Sequence, residues 1–144
     1  MKALSMWQPW ASLVIDGRKK IETRSWRAPA WLIGVDLAIH ATKGNCDKDL
    51  AEECGYDLRV FPLGAILGVV RVDRCQQFTQ EFYDDITLLS SDPHYPEGKY
   101  GDFYPGRWGW FVTVIEKFPT PYPQRGAQGI FEWCKPVEQR RGSQ

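Results

Sequence analysis

The sequence predicts a mostly β (α+β) fold, a small β-barrel dressed with short flanking helices. Three observations carry that prediction. Several short segments alternate or run in β-branched residues, only two have a clear helical period, and glycines fall where a closing sheet must bend. The chain has 144 residues, 43% of them apolar and 25% charged, which suits one buried core rather than two. Residues 1–136 are read as a single domain and 137–144 as a frayed tail.

Lys2 to Met6 reads as the first strand. Pro9 fits the first turn of a helix, where its missing N–H costs nothing, and Trp10, Leu13 and Val14 follow at i, i+3 and i+4. This helix, 9–15, stops at Gly17, a residue able to take the left-handed conformation. Lys20 to Trp26 alternates, with Ile21, Thr23 and Ser25 on one face and Lys20, Glu22, Arg24 and Trp26 on the other. Ile33 to His40 is a further strand, and 46–54 a short acidic surface helix.

Gly64 to Cys75 is the strongest strand, and Gly64 and Gly68 mark a bend or bulge within it. One helical turn is expected near 79–84, and 84–106 is a long excursion without a period. Gly109 to Lys117 is a late strand, after which Pro119, Pro121 and Pro123 are expected to forbid pairing and form an extended connector. Gln128 to Trp133 is the last strand. No internal repeat is present.

Charge is balanced overall, with 18 basic and 18 acidic residues, which excludes a globally basic nucleic-acid coat. Its distribution is uneven. Residues 1–27 carry six bases and two acids, whereas 45–57 and 84–102 each carry five acids and one base. A basic end on a neutral chain still focuses field on an anionic ligand. No run approaches the ~20 apolar residues that span a bilayer. The first nine residues lack a signal-peptide pattern, so the cytoplasm is the expected location. Cys46, Cys54, Cys75 and Cys134 form no CxxC pair, and with only His40 and His94 beside them they read as free thiols rather than metal ligands. No cofactor is expected. The P-loop, GxGxxG, HExxH and GxSxG patterns are missing.

The informative stretch is Gly17-Arg18-Lys19-Lys20-Ile21-Glu22-Thr23-Arg24, charge-dense at a helix stop and a strand start. Glu22 and Arg24 share a strand face, roughly 7 Å apart, and Lys19 sits in the turn before them. Arg24 offers a rigid donor fork, Glu22 an acceptor for an exocyclic amine, and Lys19 a movable cation. Such a trio suits a flat polar ligand, or else a solvated ion-pair cluster.

Gly17, Lys19, Glu22 and Arg24 spell GxKxxExR, which resembles the signature of the ASCH domain, the PUA-like family named for activating signal cointegrator-1 homology. Leu4-Ser5-Met6-Trp7-Gln8-Pro9-Trp10-Ala11 resembles the family's start. Leu37 to Ala41 and Gly64 to Val70 resemble two of its strands, and Trp108-Gly109-Trp110 and Arg125 to Phe131 its closing elements. The resemblance covers roughly residues 2–134. It implies a PUA-like β-barrel with short flanking helices, a cleft lined by the GxKxxExR residues, and binding of RNA or a modified nucleoside.

Some relatives are enzymes, hydrolysing N4-acetylcytidine or cleaving RNA without a metal. For either activity Lys19 and Glu22 are the catalytic candidates here. The amidohydrolases' threonine falls on Glu22, and Thr23 alternates to the other face; Asp73 stands in for their glutamate. A protein-interaction module of coactivator type is the third reading, using the acidic segments. For ligand binding the candidates are Trp7, Gln8, Arg18, Lys19, Glu22, Arg24, His40, Lys43, Trp108 and Arg125. Trp7 or Trp108 would stack on a base, and Arg18, Lys19 and Lys43 would attract phosphate. Arg107-Trp108 reads as a cation–π pair or a phosphate contact, and Trp10 as core.

Overall fold

The computed structural model describes residues 1–137; most of the expected tail lies outside the described residues. Six strands form one mixed sheet curled into a half-barrel, in the order β2-β5-β4-β3-β1-β6. They are β1 (Lys2–Met6), β2 (Ile21–Arg24), β3 (Asp36–Ala41), β4 (Ala65–Gln77), β5 (Trp108–Pro123) and β6 (Ile130–Glu132). Neighbours are antiparallel except β1 and β3, which run parallel with Lys2 opposite Leu37 and Met6 opposite Ala41. Three helices accompany them: α1 (Trp10–Ile15), α2 (Lys48–Glu53) and α3 (Gln80–Leu89). No helix among the described residues is long and apolar enough to cross a membrane.

Strand alternation decides which residues fill the barrel. Leu4 and Met6 of β1 face inward with Leu37, Ile39 and Ala41 of β3, while Ala3 and Ala38 face a second cluster around Phe118 and Trp133. In β4 the parity shifts, because Leu67 and Val70 share the inner face although they are three positions apart. The register of β4 on β5 slips between Ile66 and Gly68 and again between Val69 and Val70. Bulges of this kind bend the strand and let the sheet curl. Gly68 is where the two backbones close up: a Cβ there would lie 2.3 Å from the Glu116 carbonyl oxygen. Gly68→Ala is therefore expected to cost about 1–3 kcal/mol, read as a lower urea midpoint at unchanged slope. A variant as stable as the wild type would show that the bulge yields freely.

α1 plugs the half-barrel, with Ala11 through Ile15 all buried. Pro9 occupies its cap position and carries no capping oxygen, so Gln8 supplies one: its Oε1 accepts from the Ser12 N–H at 3.0 Å. Trp110 lies fully buried beneath Trp26, edge to face with centroids 4.8 Å apart.

Two expectations are corrected. The proline run lies within β5 and is not a connector. Ala65 stands opposite Pro123 and Ile66 opposite Tyr122, and the Gln124 N–H reaches the Gly64 carbonyl at 2.9 Å. Pro119 and Pro121 fall in the register slip between Lys117 and Tyr122, and β2 covers only Trp108 to Phe111 of the other edge, so Pro123 has no neighbour there. Bulges and unpaired edges are where a strand tolerates proline. The turn near 79–84 is in fact a helix that continues to Leu89. Thr79 caps it, accepting from the Phe82 N–H at 3.1 Å, and Phe82, Tyr83 and Ile86 pack on Phe78 and Phe103.

Candidate functional site

The turn after α1 drives Lys19 inward. Gly17 takes φ +75°, and the N–H groups of Arg18 and Lys19 both return to the Leu13 carbonyl at 2.9 Å. Arg18 and Lys20 are left exposed, while the Lys19 side chain has no accessible surface. Its ammonium donates to the Ile21 carbonyl and lies 3.8 Å from Glu22 Oε1. Glu22 is itself buried. Its Oε1 accepts the Thr23 N–H at 3.0 Å and its Oε2 faces Arg24 Nη2 at 3.2 Å. Arg24 Nη2 also donates to the Ser5 carbonyl at 3.0 Å. No described residue accepts from Arg24 Nε or Nη1, so those donors are free, one on each side of the engaged Nη2. Burial lowers the Lys19 pKa, against the opposing pull of the Glu22 and Glu97 carboxylates.

A strap from the far end of the sequence covers this network. A 3₁₀ turn, Pro96–Lys99, brings Glu97 Oε1 within 2.8 Å of the Lys20 N–H and 2.6 Å of the Ile21 N–H. Asp102 N–H then donates to Thr23 Oγ1 at 3.1 Å. Burial raises the Glu97 pKa, while Lys19 and the two N–H groups oppose that rise. Gly101 lets the strap lie close, since a Cβ there would sit 2.8 Å from the Thr23 methyl.

Above the network opens a cleft of two lobes that share Ser5, Trp7 and Arg24. The first lobe, about 600 Å³, is walled by Glu22, Trp26, Tyr100, Asp102 and Arg107. The second, about 1060 Å³, is walled by His40, Lys43 and the loop 124–129. His40 is buried and fixes that loop: its Nε2–H donates to the Gln124 carbonyl at 2.6 Å, and its Nδ1 lies 3.0 Å from Ser5 Oγ. At the junction of the lobes Trp7 is 53% exposed. An exposed indole in the same cleft as free guanidinium donors is suited to a flat ligand with polar edges. Among the described residues no three His, Cys, Asp or Glu side chains converge as metal ligands would.

The family model of the ASCH domain matches residues 4–121. The chain belongs to the ASCH domain family. In an alignment 106 positions long that takes in 62% of its length, this ASCH domain chain is 32% identical to human Activating signal cointegrator 1, and it spans 17% of that protein. Its fold is similar to the crystal structure of ASCH from Zymomonas mobilis, with TM-score 0.56 and 16% identity over 93% of this chain and 87% of that one. A variant of the same Zymomonas mobilis protein gives TM-score 0.55 and 16% identity, over 93% and 88%. The six-stranded half-barrel is thus the PUA-like barrel that the sequence implied.

Within this ASCH domain, Trp7, Glu22 and Arg24 line the cleft, as do His40, Lys43 and Arg125 in the second lobe. The others lie elsewhere. Lys19 is sealed beneath the cleft floor, not a movable cation. Gln8 is wholly buried, donating to Ser12 Oγ and the Pro62 carbonyl at 2.8 Å each, so it positions α1 rather than facing a ligand. Arg18 points to another face, donating to the Cys54 carbonyl at 2.8 Å over the Tyr56 ring. Trp108 lines neither lobe, and its cation–π partner is Arg27 at 5.6 Å rather than Arg107. Arg107 donates instead to the Asp102 carbonyl at 3.1 Å. Asp73 is on an exposed stretch of β4, bound by Arg71 and Thr113. Trp10 is half-buried and shows a face to the first lobe, so it is not purely core. The sequence reading passed over Ser5, Trp26, Tyr100 and Glu97. Only Trp26 carried a signal, its place on the Glu22 and Arg24 face of the alternation.

Proposed function

We propose that this ASCH domain binds RNA, or a modified nucleoside, by holding one unpaired base between Trp7 and Arg24. The observation that carries the reading is the pair of free Nε and Nη1 donors on Arg24, whose Nη2 is held by Glu22 and the Ser5 carbonyl, in a cleft that the exposed Trp7 also lines. Arg24 reads acceptors on the base edge, and Trp7 stacks on its face. Glu22 has both oxygens engaged, so its main part is to orient Arg24. The four cysteines are free thiols, three half-buried and one exposed, which fits a reducing compartment and a cytoplasmic location.

The test is titration with nucleosides and short single-stranded RNAs, by fluorescence and by thermal shift. Trp7→Ala is expected to weaken binding by about 1–3 kcal/mol, the worth of one stacked base. Its unfolding midpoint should stay near that of the wild type, because the ring is largely exposed. Unaltered affinity in Trp7→Ala would remove the stacking platform from the reading.

One observation favours a second reading, a small hydrolase of the same family. A lysine whose pKa burial lowers, next to a carboxylate at the cleft wall, is a pair suited to proton transfer. In that case Glu22 touches substrate and Lys19 acts behind it. Incubation with N4-acetylcytidine and with labelled RNA, in EDTA, decides it: release of acetate or of RNA fragments supports the hydrolase, and neither leaves the binder.

A further inference from the structure

The two lobes differ in charge, and the difference says what each holds. The first lobe sets Glu22 and Asp102 against Arg24, Lys99 and Arg107, a mixed lining that suits the donors and acceptors of a neutral base edge. The second lobe contains no acidic residue among those described, yet it carries Arg24, Lys43 and Arg125. No described acid lies within ion-pair distance of Lys43 or Arg125, and both are exposed. The loop beside them adds uncharged donors. No described residue accepts from the backbone N–H groups of Arg125, Gly126, Ala127 or Gln128.

The loop is anchored on His40 at Gln124 and Gly126. His40 holds the Gln124 carbonyl, and Gly126 presses so close that a Cβ would lie 2.5 Å from the His40 ring. A pre-set loop of free amides between two unpaired cations is a place for an anion. Trp7 and Arg24 belong to both lobes, so a base stacked at the junction has its backbone directed into the second.

We infer that the second lobe holds the phosphate next to the bound base, so the ligand class is a nucleotide step of a single strand and not a free nucleoside. This rests on the base-binding reading above. Lys43 and Arg125 contribute the charge, the 125–128 amides the directed donors, and Arg24 links phosphate to base.

The experiment compares four nucleosides with the dinucleotides ApA, CpC, GpG and UpU, and with the same dinucleotides joined by an uncharged methylphosphonate. Wild type and a Lys43→Gln/Arg125→Gln variant are titrated with each. The natural dinucleotide is expected to bind at least about tenfold tighter than its nucleoside, the size of one charge-assisted contact. That gain should vanish with the methylphosphonate and in the double variant, whose nucleoside affinity stays at the wild-type level. The salt dependence of dinucleotide binding should flatten in the variant as well. If nucleoside and dinucleotide bind wild type equally, the phosphate lobe is overturned and base binding stands. If no member of the panel binds, both fall together.

Discussion

Glu22→Leu is expected to destabilise the protein by ~3–5 kcal/mol, the cost of removing one partner from a buried ion pair. Lys19 has no accessible side-chain surface, and Glu22 is the carboxylate facing its ammonium at 3.8 Å. Without it the charge is left to the Ile21 carbonyl and to Glu97, whose Oε1 is already taken by two backbone N–H groups. Lys19→Met in the same background should restore most of the loss, since an apolar side chain of similar volume carries no charge to strand. Urea unfolding of the two single variants and the double variant measures the coupling. A Glu22→Leu protein within about 1 kcal/mol of wild type would mean that the ammonium does not depend on that partner.

The same lysine gives the stability a pH dependence. Burial puts its folded pKa below the ordinary lysine value of 10.5, with Glu22, Glu97 and Arg24 the charged groups around it. The unfolded chain therefore holds this proton more tightly than the folded one. The contribution is lost as pH falls through the lowered folded value and is fully present above 10.5. Relative to Lys19→Met, the wild type should gain stability as pH rises toward that point.

The burial of Lys19 was the part of the site least open to a sequence reading. A lysine between Arg18 and Lys20 in a turn reads as solvated, and GxKxxExR gives no sign that its middle cation is covered. The cover is the strap around Glu97, whose carboxylate binds the Ile21 N–H from 76 residues away along the chain, inside the excursion that showed no period. Local pattern has no access to such a partner. The same limit explains Arg18 and Gln8. Both were grouped with the site by adjacency, yet one residue of turn sends Arg18 to another face, and the cap vacancy at Pro9 draws Gln8 inside.

What the sequence did carry was set by simple periods. The short first strand, the alternation of β2 and the glycine-marked bend of β4 are properties of a few consecutive residues, and the fold follows them. The prolines of β5 were misjudged because a missing N–H forbids pairing only where a partner exists: Pro119 and Pro121 sit in the register slip against β4, and β2 is too short to reach Pro123. α3 was cut short because its apolar face of Phe82, Tyr83 and Ile86 matters only against Phe78 and Phe103.

Arg24→Lys is expected to weaken RNA binding by about 1.5–3 kcal/mol, roughly tenfold to a hundredfold, with little change in the unfolding midpoint. The guanidinium does two things at once. Nη2 is spent on Glu22 and the Ser5 carbonyl, at 3.2 and 3.0 Å, and the Nε and Nη1 donors are free for a ligand. A lysine keeps the charge that Glu22 needs but has a single nitrogen, so it serves the anchor or the base and not both. Because Arg24 lines both lobes, nucleoside and dinucleotide should both lose affinity. That separates it from Lys43 and Arg125, whose loss should be confined to ligands with a charged phosphate. A lysine variant that binds RNA as the wild type does would show that charge alone suffices at this position. The donor fork would then not be the reader, and base recognition would have to pass to Arg107 and Asp102 across the first lobe.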